Sequence, residues 1–527
     1  MREEPVFIFD TTLREGQSCP GAGMGLEANL EYARCAARFG VNVLEVGFPS
    51  SSSLDFHTVS TVVNELASER SGPTLAALSP LSDQAIERTL EALAPVTSQG
   101  RGRLHLYIPI DLQLLNFSIN DAPSSTEDVL KLMDVHISKA VKEGVEVQFT
   151  PQGYSRPGLH EQFTTEMLRV AVGAGAGIIN CPDTVGCAYP YEGEHYFVNR
   201  MRTHAALIQE EFPERQIVWS THCHNDFGLA LANTLNAVFH GPVRQVQGCF
   251  NGIGERAGNA PLEQIVLALK HFIDRAQERK FTTSVKPIYI QQISDFVSQH
   301  MLPRQPHWPI SGENAARYSS REQAEAFLRD NNAYQPFKPE DTGNKVTLLF
   351  NHQSGGAHVR AIISSAGFAC DEAESSTIAD YVKSKYEERR KGITDAEVIK
   401  AYFEYRKPIQ IKSFDYSKTA GRAQLILNGV FFQEEGALEY AGVGEDSVLA
   451  VLQAAIEAYQ PGYEISSHQS QSEGRDISAQ SVSRIIITNS DGVEFIGIGK
   501  DRDIEIAALK ALIDATNAAY IDQHYRL

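Results

Sequence analysis

The sequence predicts an α/β chain in three parts: a (β/α)8 barrel, a mostly helical connecting region and a C-terminal α/β domain. Three observations predict it. Eight short apolar or β-branched runs recur over the first 280 residues, helical patterns fall between most of them, and a smaller strand–helix alternation repeats near the end of the chain. Eight strands alternating with helices read as a closed parallel barrel, with a doubly wound open sheet as the alternative.

The runs, in order, are VFIFDTT, NVLEVGF, TLAALS, RLHLYIPI, VEVQFTP, GIINCPD, IVWSTHCH and QVQGCFNG. The first helical pattern, LEANLEYARCAARFG, stops at Gly40, the residue type that ends helices in left-handed backbone. After Lys280 the character changes. Residues 281–345 carry prolines and polar turns, including MLPRQPHWP, and read as an irregular arm. Helical periodicity returns in SSTIADYVKSKYEERRKG. From about Ile411, QLILNGVFF precedes EDSVLAVLQAAIEAY, and SRIIITNSDGVEFIGIGK precedes DIEIAALKALIDATNAAYI, a pseudo-repeat of one small unit. The segment between the halves, SSHQSQSEGRDISAQS, reads as a loop by composition. The expected domains are a barrel at 1–280, an arm and helical subdomain at 281–410, and a C-terminal domain at 411–527.

Composition limits the partners. The 527 residues are 42% hydrophobic and 21% charged, with a formal net charge of -19, so neither nucleic acid nor an anionic membrane finds a basic face. No apolar run is long enough to span a bilayer, and MREEPVFIF lacks the apolar core of a secretory signal. Seven cysteines without a CxxC pair read as reduced thiols of a cytoplasmic protein. Cys19, Cys223 and Cys249 lie near the polar motifs but have no base beside them, which makes them packing residues.

In a barrel of this type chemistry gathers at the C-terminal ends of the strands, and the polar anomalies fall there. The first strand ends in Asp10, Arg14 and Glu15, and the second at Glu45. The fifth runs into Thr150 and Gln152, and the sixth into Asp183 and Thr184. The seventh ends in THCHND, where His222 and His224 share a face because strand side chains alternate with period two. Two such histidines and a carboxylate from the first strand form a ligand set for Zn, Mn or Mg. The glycine-rich NGIGERAGNAPLEQ allows close approach of backbone to a ligand, although such loops also occur as plain turns.

FDTTLREG, NCPDTVG, HCHND and NGIGERAGN, in that order across one barrel, resemble the 2-isopropylmalate synthase and homocitrate synthase family, and the resemblance covers nearly the whole chain. It implies a metal-dependent Claisen condensation in which acetyl-CoA is the co-substrate of a 2-oxo acid. It implies that Arg14 holds the substrate carbonyl, Glu15 binds the metal with His222 and His224, and Asn259 is a further ligand. Thr184 is implied to hold the substrate carboxylate, with Glu45 among the catalytic residues and Thr150 and Gln152 in the pocket. The C-terminal pseudo-repeat is similar to the regulatory domain of isopropylmalate synthases, which implies a homodimer and an amino-acid effector, leucine.

The chain also departs from that family. REGQS places Gln17 and Ser18 where an acid–glutamine pair is usual. Gln152 stands for an acid, Gln148 for the arginine of homocitrate synthases, and Pro109, Ile110 and Asp111 for small hydroxyl residues. The arm lacks the family's histidine in SGENAARYSSREQ, while Tyr334 matches its tyrosine. Three functions compete. The first is an acetyl-CoA:2-oxo acid condensing enzyme, either a 2-isopropylmalate synthase or a 2-benzylmalate, citramalate or homocitrate relative. The second is a metal-dependent lyase or aldolase that uses no CoA. The third is a non-catalytic sensor.

Overall fold

In the computed structural model the described residues are 2–69, 71–110, 115, 125–156, 161–191, 193, 196–274, 279–388, 392–407, 409–419, 422–431, 434–443, 462–473 and 480–524. The chain divides into two units, Met1–Ala316 with Phe337–Val346, and Arg317–Pro336 with Thr347–Leu527.

The first unit is a closed eight-stranded parallel barrel: β1 (Phe7–Asp10), β2 (Val43–Glu45), β3 (Thr74–Pro80), β4 (Gly102–Pro109), β5 (Glu146–Gln152), β6 (Ile178–Asp183), β7 (Val218–Cys223) and β8 (Val243–Gly248). The last strand closes on the first through Phe7↔Gln245 to Asp10↔Gly248. Each predicted apolar run supplies one strand. Helices α1 (Leu26–Phe39), α2 (Ser53–Ala67), α3 (Asp83–Thr97), α4 (Thr126–Lys142), α5 (Glu161–Gly173), α6 (Phe197–Glu211), α7 (Ala230–Phe239) and α8 (Leu262–His271) surround it. Ser52, Ser82 and Ser125 accept the backbone N–H three residues on, capping α2, α3 and α4, and Gly40 ends α1 at φ +91.

The helices bury apolar stripes against the outside of the barrel, as with Tyr32, Phe39, Val62, Ile86, Ile137 and Met201. Each such side chain contributes ~1.5–3 kcal/mol. Inside, among the described residues, Phe9, Val43 and Ala76 form a separate apolar cluster. The buried polar residues of the strands include Arg103, His105, Gln148, Asn180, Ser220, Gln245 and Gln247.

The segment after Lys280 is less irregular than its prolines imply. Residues Ile290–His300 form a helix that buries Ile290, Ile293 and Val297. The sequence hides this helix because it is short, has no side-chain cap at its start and lies beside the proline-rich stretch.

In the second unit, helices Gly356–Ser365, Glu372–Lys385 and Asp395–Arg406 pack around Phe350, Ile363, Ile378 and Tyr402, and Thr394 with Glu397 caps the third by a reciprocal box. Two three-stranded antiparallel sheets follow, Ile409–Thr419, Arg422–Phe431 and Glu434–Val443, then Tyr463–Glu473, Gln480–Asn489 and Glu494–Asp501. Both first strands shift register near their start, at Ile411/Ser413 and Ile465/Ser467, as a repeat requires. The helix expected over EDSVLAVLQAAIEAY lies outside the described residues. The closing helix Ile504–His524 approaches its sheet at Gly497 and Gly499, where a Cβ would meet the carbonyls of Ala511 and Ala507 at 1.9 and 2.1 Å.

SSHQSQSEGRDISAQS is not a simple loop. Residues 467–473 and 480–481 are paired strand, with His468 opposite Ile485 and Ser470 opposite Ser483; residues 474–479 lie outside the described ones. Backbone pairing offsets the lack of apolar side chains there.

Candidate active site

The turn after β1 explains the abrupt polarity of FDTTLREG. Asp10 folds back to accept the Thr12 N–H (2.9 Å) and the Tyr32 hydroxyl (2.7 Å), and the Thr11 carbonyl accepts the N–H groups of Arg14 (3.0 Å) and Glu15 (2.8 Å). Complete burial pushes the Asp10 carboxyl up to about 6 despite those bonds. The turn projects Arg14 and Glu15 over the end of the barrel. Arg14 Nε donates to Glu45 Oε2 at 2.7 Å, and Nη1 is paired with Glu15 Oε2.

Glu15 lies beside the histidines of β7 and the residue after it. His224 Nε2 is 3.8 Å from Glu15 Oε1, and the His222 and His224 rings are 5.1 Å apart. Among the described residues, Glu15, His222 and His224 form the set able to hold a metal ion, with ligand atoms within 4.8 Å of one another. Burial raises the Glu15 carboxyl, but Arg14 and the two histidines outweigh it and bring it down to about 2. Burial and the neighbouring His224 push His222 down to about 3, and burial also lowers His224. An ionised carboxylate with two neutral imidazoles is the protonation state a metal requires.

The residues fit such an ion in a second way. His222 Nδ1, His224 Nδ1 and Asn259 Oδ1 are buried without a hydrogen-bond partner, a state that costs ~1–3 kcal/mol per group unless a ligand relieves it. Asn259 is brought beside His224 by a backbone bridge. Glycines make that possible: a Cβ on Gly254 would lie 2.1 Å from Asn259 Nδ2, and one on Gly258 would lie 2.0 Å from the Gly252 carbonyl.

Thr184 lies just past β6, and its Oγ1 accepts the Gly153 N–H at 2.9 Å. With that lone pair used, its own O–H is directed elsewhere. Asp183 accepts Ser155 Oγ (2.5 Å) and the N–H groups of Cys187 and Ala188 (3.1 Å each), which fixes the turn. Gln152 ends β5, where its carbonyl accepts the Ile110 N–H at 3.0 Å. Ile110 is buried and Asp111 lies outside the described residues. The unusual Gln17 is structural: it donates to Leu13 O and Asn29 Oδ1 (2.8 Å each) and accepts the Met24 N–H (3.0 Å).

Sequence reasoning missed His105. Its Nδ1 is 2.6 Å from Glu45 Oε1 and its Nε2 is 2.7 Å from Thr150 Oγ1. Burial keeps His105 neutral, while Arg14 and His105 together outweigh burial and keep Glu45 ionised. The assigned direction is therefore Nδ1–H to Glu45 and Thr150 O–H to Nε2. Thr150 then accepts Asn180 Nδ2 (3.1 Å), leaving Asn180 Oδ1 unpartnered. The same logic runs lower in the barrel. Arg103 Nη1 donates to Gln245 Oε1 (2.7 Å), Gln245 Nε2 donates to Gln148 Oε1 (3.0 Å), and Gln148 Nε2 is left as a buried unpartnered donor. The signal available in RLHLYIPI and VEVQFTP was a polar residue on the same face at every second position.

Tyr334 lies in the second unit. It is 58% exposed, has φ +58, and its hydroxyl is 3.4 Å from Glu322 Oε1. Cys223 and Cys249 are fully buried, with Cys223 pushed up to about 12 and Cys249 well above its ordinary value by burial, so neither is a thiolate.

Residues 5–297 match the HMGL-like family and residues 395–520 the LeuA allosteric (dimerisation) domain. A 2-isopropylmalate synthase of Xanthomonas campestris pv. campestris is 31% identical over 515 residues, 97% of this chain and 94% of that protein. One from Staphylococcus epidermidis is 29% identical over 533 residues, covering 99% and 98%. A solved HMG-CoA lyase of Bacillus subtilis is 20% identical, covers 57% of this chain and 96% of its own, and has a TM-score of 0.46.

Proposed function

The chain belongs to the HMGL-like family and is an acyltransferase of the 2-isopropylmalate synthase kind, and from that premise we propose that it makes 2-isopropylmalate from acetyl-CoA and 2-oxoisovalerate in a divalent-metal-dependent condensation. The observation that carries the proposal is the meeting of Glu15, His222 and His224 beside Arg14, with Asn259 bridged to His224 and a buried unpartnered polar atom on each histidine and on Asn259. Synthesis of 2-benzylmalate, citramalate or homocitrate is the alternative within the family.

Glu15, His222, His224 and Asn259 would hold the ion, which would supply Lewis-acid polarisation of the keto group when bound. Arg14 has Nε committed to Glu45 and Nη1 to Glu15, so it offers Nη2 to the keto oxygen and to the alkoxide that develops there. Glu45 holds Arg14 and His105 in place from its two oxygens. Thr184 donates its hydroxyl to the substrate carboxylate, and Thr150 and Gln152 line the pocket. Tyr334 belongs to the base machinery that removes a proton from the acetyl methyl group. The resulting carbon nucleophile attacks the keto carbon, the alkoxide takes up a proton, and water cleaves the thioester to release CoA.

In this reading, 1–280 is the catalytic domain, 281–410 the arm and 411–527 the regulatory domain, in a cytoplasmic homodimer. Leucine is the effector of the last domain. A groove of about 660 Å³ between strand Ile409–Thr419 and helix Ile504–His524, lined by Lys412, Lys500, Asp514 and apolar residues such as Ile498, has both the charge and the apolar surface for an amino acid. No described helix is long and apolar enough to cross a membrane.

The test is kcat/KM for pyruvate, 2-oxoisovalerate, 2-oxoglutarate and phenylpyruvate with acetyl-CoA, followed as free CoA. The expected result is a graded preference led by 2-oxoisovalerate, because apolar pockets discriminate by only about 1–3 kcal/mol per methylene. Release of CoA with none of them would refute the condensation. A preference for 2-oxoglutarate would reinstate the homocitrate branch against the neutral Gln148.

A further inference from the structure

Arg256, in NGIGERAGN, stands on left-handed backbone at φ +57, which a side chain such as arginine rarely adopts and which costs free energy unless the surroundings impose it. That backbone turns the guanidinium across two neighbouring loops. Nε and Nη2 make a two-point pair with Asp226 Oδ1 (2.9 Å) and Oδ2 (3.0 Å), two residues past His224. Nη2 also donates to the carbonyl of Thr184 at 2.8 Å. The third loop is shaped for this contact, since a Cβ on Gly186 would fall 2.1 Å from Asp226 Oδ2. A backbone bond from the Asn225 N–H to the Gly258 carbonyl (2.9 Å) runs beside it. One fork therefore joins the loops after β6, β7 and β8, each carrying one residue of the candidate site: Thr184, His224 and Asn259.

We propose that Arg256 is a positioning residue. Its pair with Asp226 and its bond to Thr184 hold the carboxylate-binding turn against the metal-binding loops, and its strained backbone is retained for that reach. The substrate assignment rests on the reading above; the loop clamp does not. A planar fork is needed because three acceptor atoms are engaged at once, which a lysine ammonium on a flexible stem cannot reproduce.

Arg256→Gly separates positioning from plain stability. Glycine adopts φ +57 without strain, so the variant loses the clamp and also the strain. The full-length protein is compared with Arg256→Gly and Arg256→Lys by thermal melting, by Mn²⁺ titration calorimetry, by hydrogen exchange and by kinetics. Arg256→Gly is expected to melt at or above the parent temperature. Amides at 184–187 and 225–228 should exchange about 10-fold faster or more, and Mn²⁺ should bind roughly 10-fold more weakly, the scale on which groups behind metal ligands act. KM for the 2-oxo acid should rise roughly 10- to 100-fold with KM for acetyl-CoA within about twofold, and Arg256→Lys should fall between the two. Unchanged exchange and Mn²⁺ affinity in Arg256→Gly would overturn the proposal. A lowered melting temperature with uniformly faster exchange would overturn it too, by making Arg256 an ordinary structural residue. If no 2-oxo acid releases CoA with the parent, the exchange and Mn²⁺ results still decide the clamp.

Discussion

At the end of the barrel Arg14 is gripped by Glu45 and Glu15, His105 by Glu45 and Thr150, and Asp183 by three donors, whereas Tyr334 is an exposed side chain 3.4 Å from one carboxylate. Both regions carry residues expected to act on the same reaction. In the barrel, closure fixes strand register, so groups far apart in sequence, such as Glu15 and His224, meet at a defined separation. The Tyr334 segment has no such frame around it. Pre-organised electrostatics belong to the barrel, whereas the exposed Tyr334 hydroxyl is near a single carboxylate.

The largest effects should come from breaking the pre-organised side. His222→Ala or His224→Ala removes one of the two buried neutral imidazoles beside Glu15 while leaving the Arg14–Glu15 pair in place. Turnover should fall by at least ~10³-fold, with metal content after gel filtration falling in step and the far-UV spectrum unchanged. Full activity of His222→Ala after chelator treatment would remove the metal from the scheme. Next, Arg14→Lys should cost roughly 10²–10³-fold in kcat/KM, because a point ammonium cannot serve Glu45, Glu15 and an oxyanion together. Near-parental kinetics would mark Arg14 as a structural cation.

On the loosely held side, Tyr334→Phe removes one hydroxyl that contributes little to packing. The melting temperature should stay within about 1 °C, while kcat falls roughly 10²-fold, the low end for losing a general acid or base. A variant with parental kcat would confine the chemistry to the barrel.

The same contrast governs how much was legible beforehand. The eight strands were readable because each is a short apolar run at a regular interval, and His222 and His224 because period two places them on one face. His105 and Asn180 were not, since a polar residue on alternate strand positions also fits a solvent-facing edge. Only closure of the barrel, which brings Arg103 to Gln245 across 142 positions, shows that those faces point inward. The glutamine- and serine-rich strands were misread for the converse reason: composition reports the lack of a core, while cross-strand hydrogen bonds depend on partners elsewhere in the sequence.

The smallest expected effect lies where the barrel meets the segment that follows it. Glu263, in the first turn of α8, is completely buried, and its carboxyl accepts the Trp308 indole N–H at 2.7 Å and the Asn251 N–H at 3.1 Å. Burial raises its pKa to about 7, with the two donors offsetting only part of the shift. A carboxyl whose folded pKa is raised adds stability below its unfolded value of 4.5 and loses that contribution as pH rises through about 7. The parent should therefore become less stable between about pH 4.5 and 7 through this group. Glu263→Gln keeps the acceptor oxygen for Trp308 or Asn251 and cannot ionise, so its melting temperature should gain on the parent's across that window. The gain should be a few degrees, since ~1 kcal/mol is worth about 2–4 °C in a domain of this size. Because Trp308 also packs over Gly252, where a Cβ would lie 3.2 Å from its ring, the pair links the Trp308 segment to the loop bearing Asn259. If the melting difference between Glu263→Gln and parent is flat from pH 5 to 8, the carboxyl titrates outside that range, and the link is held by the packing of Trp308 alone.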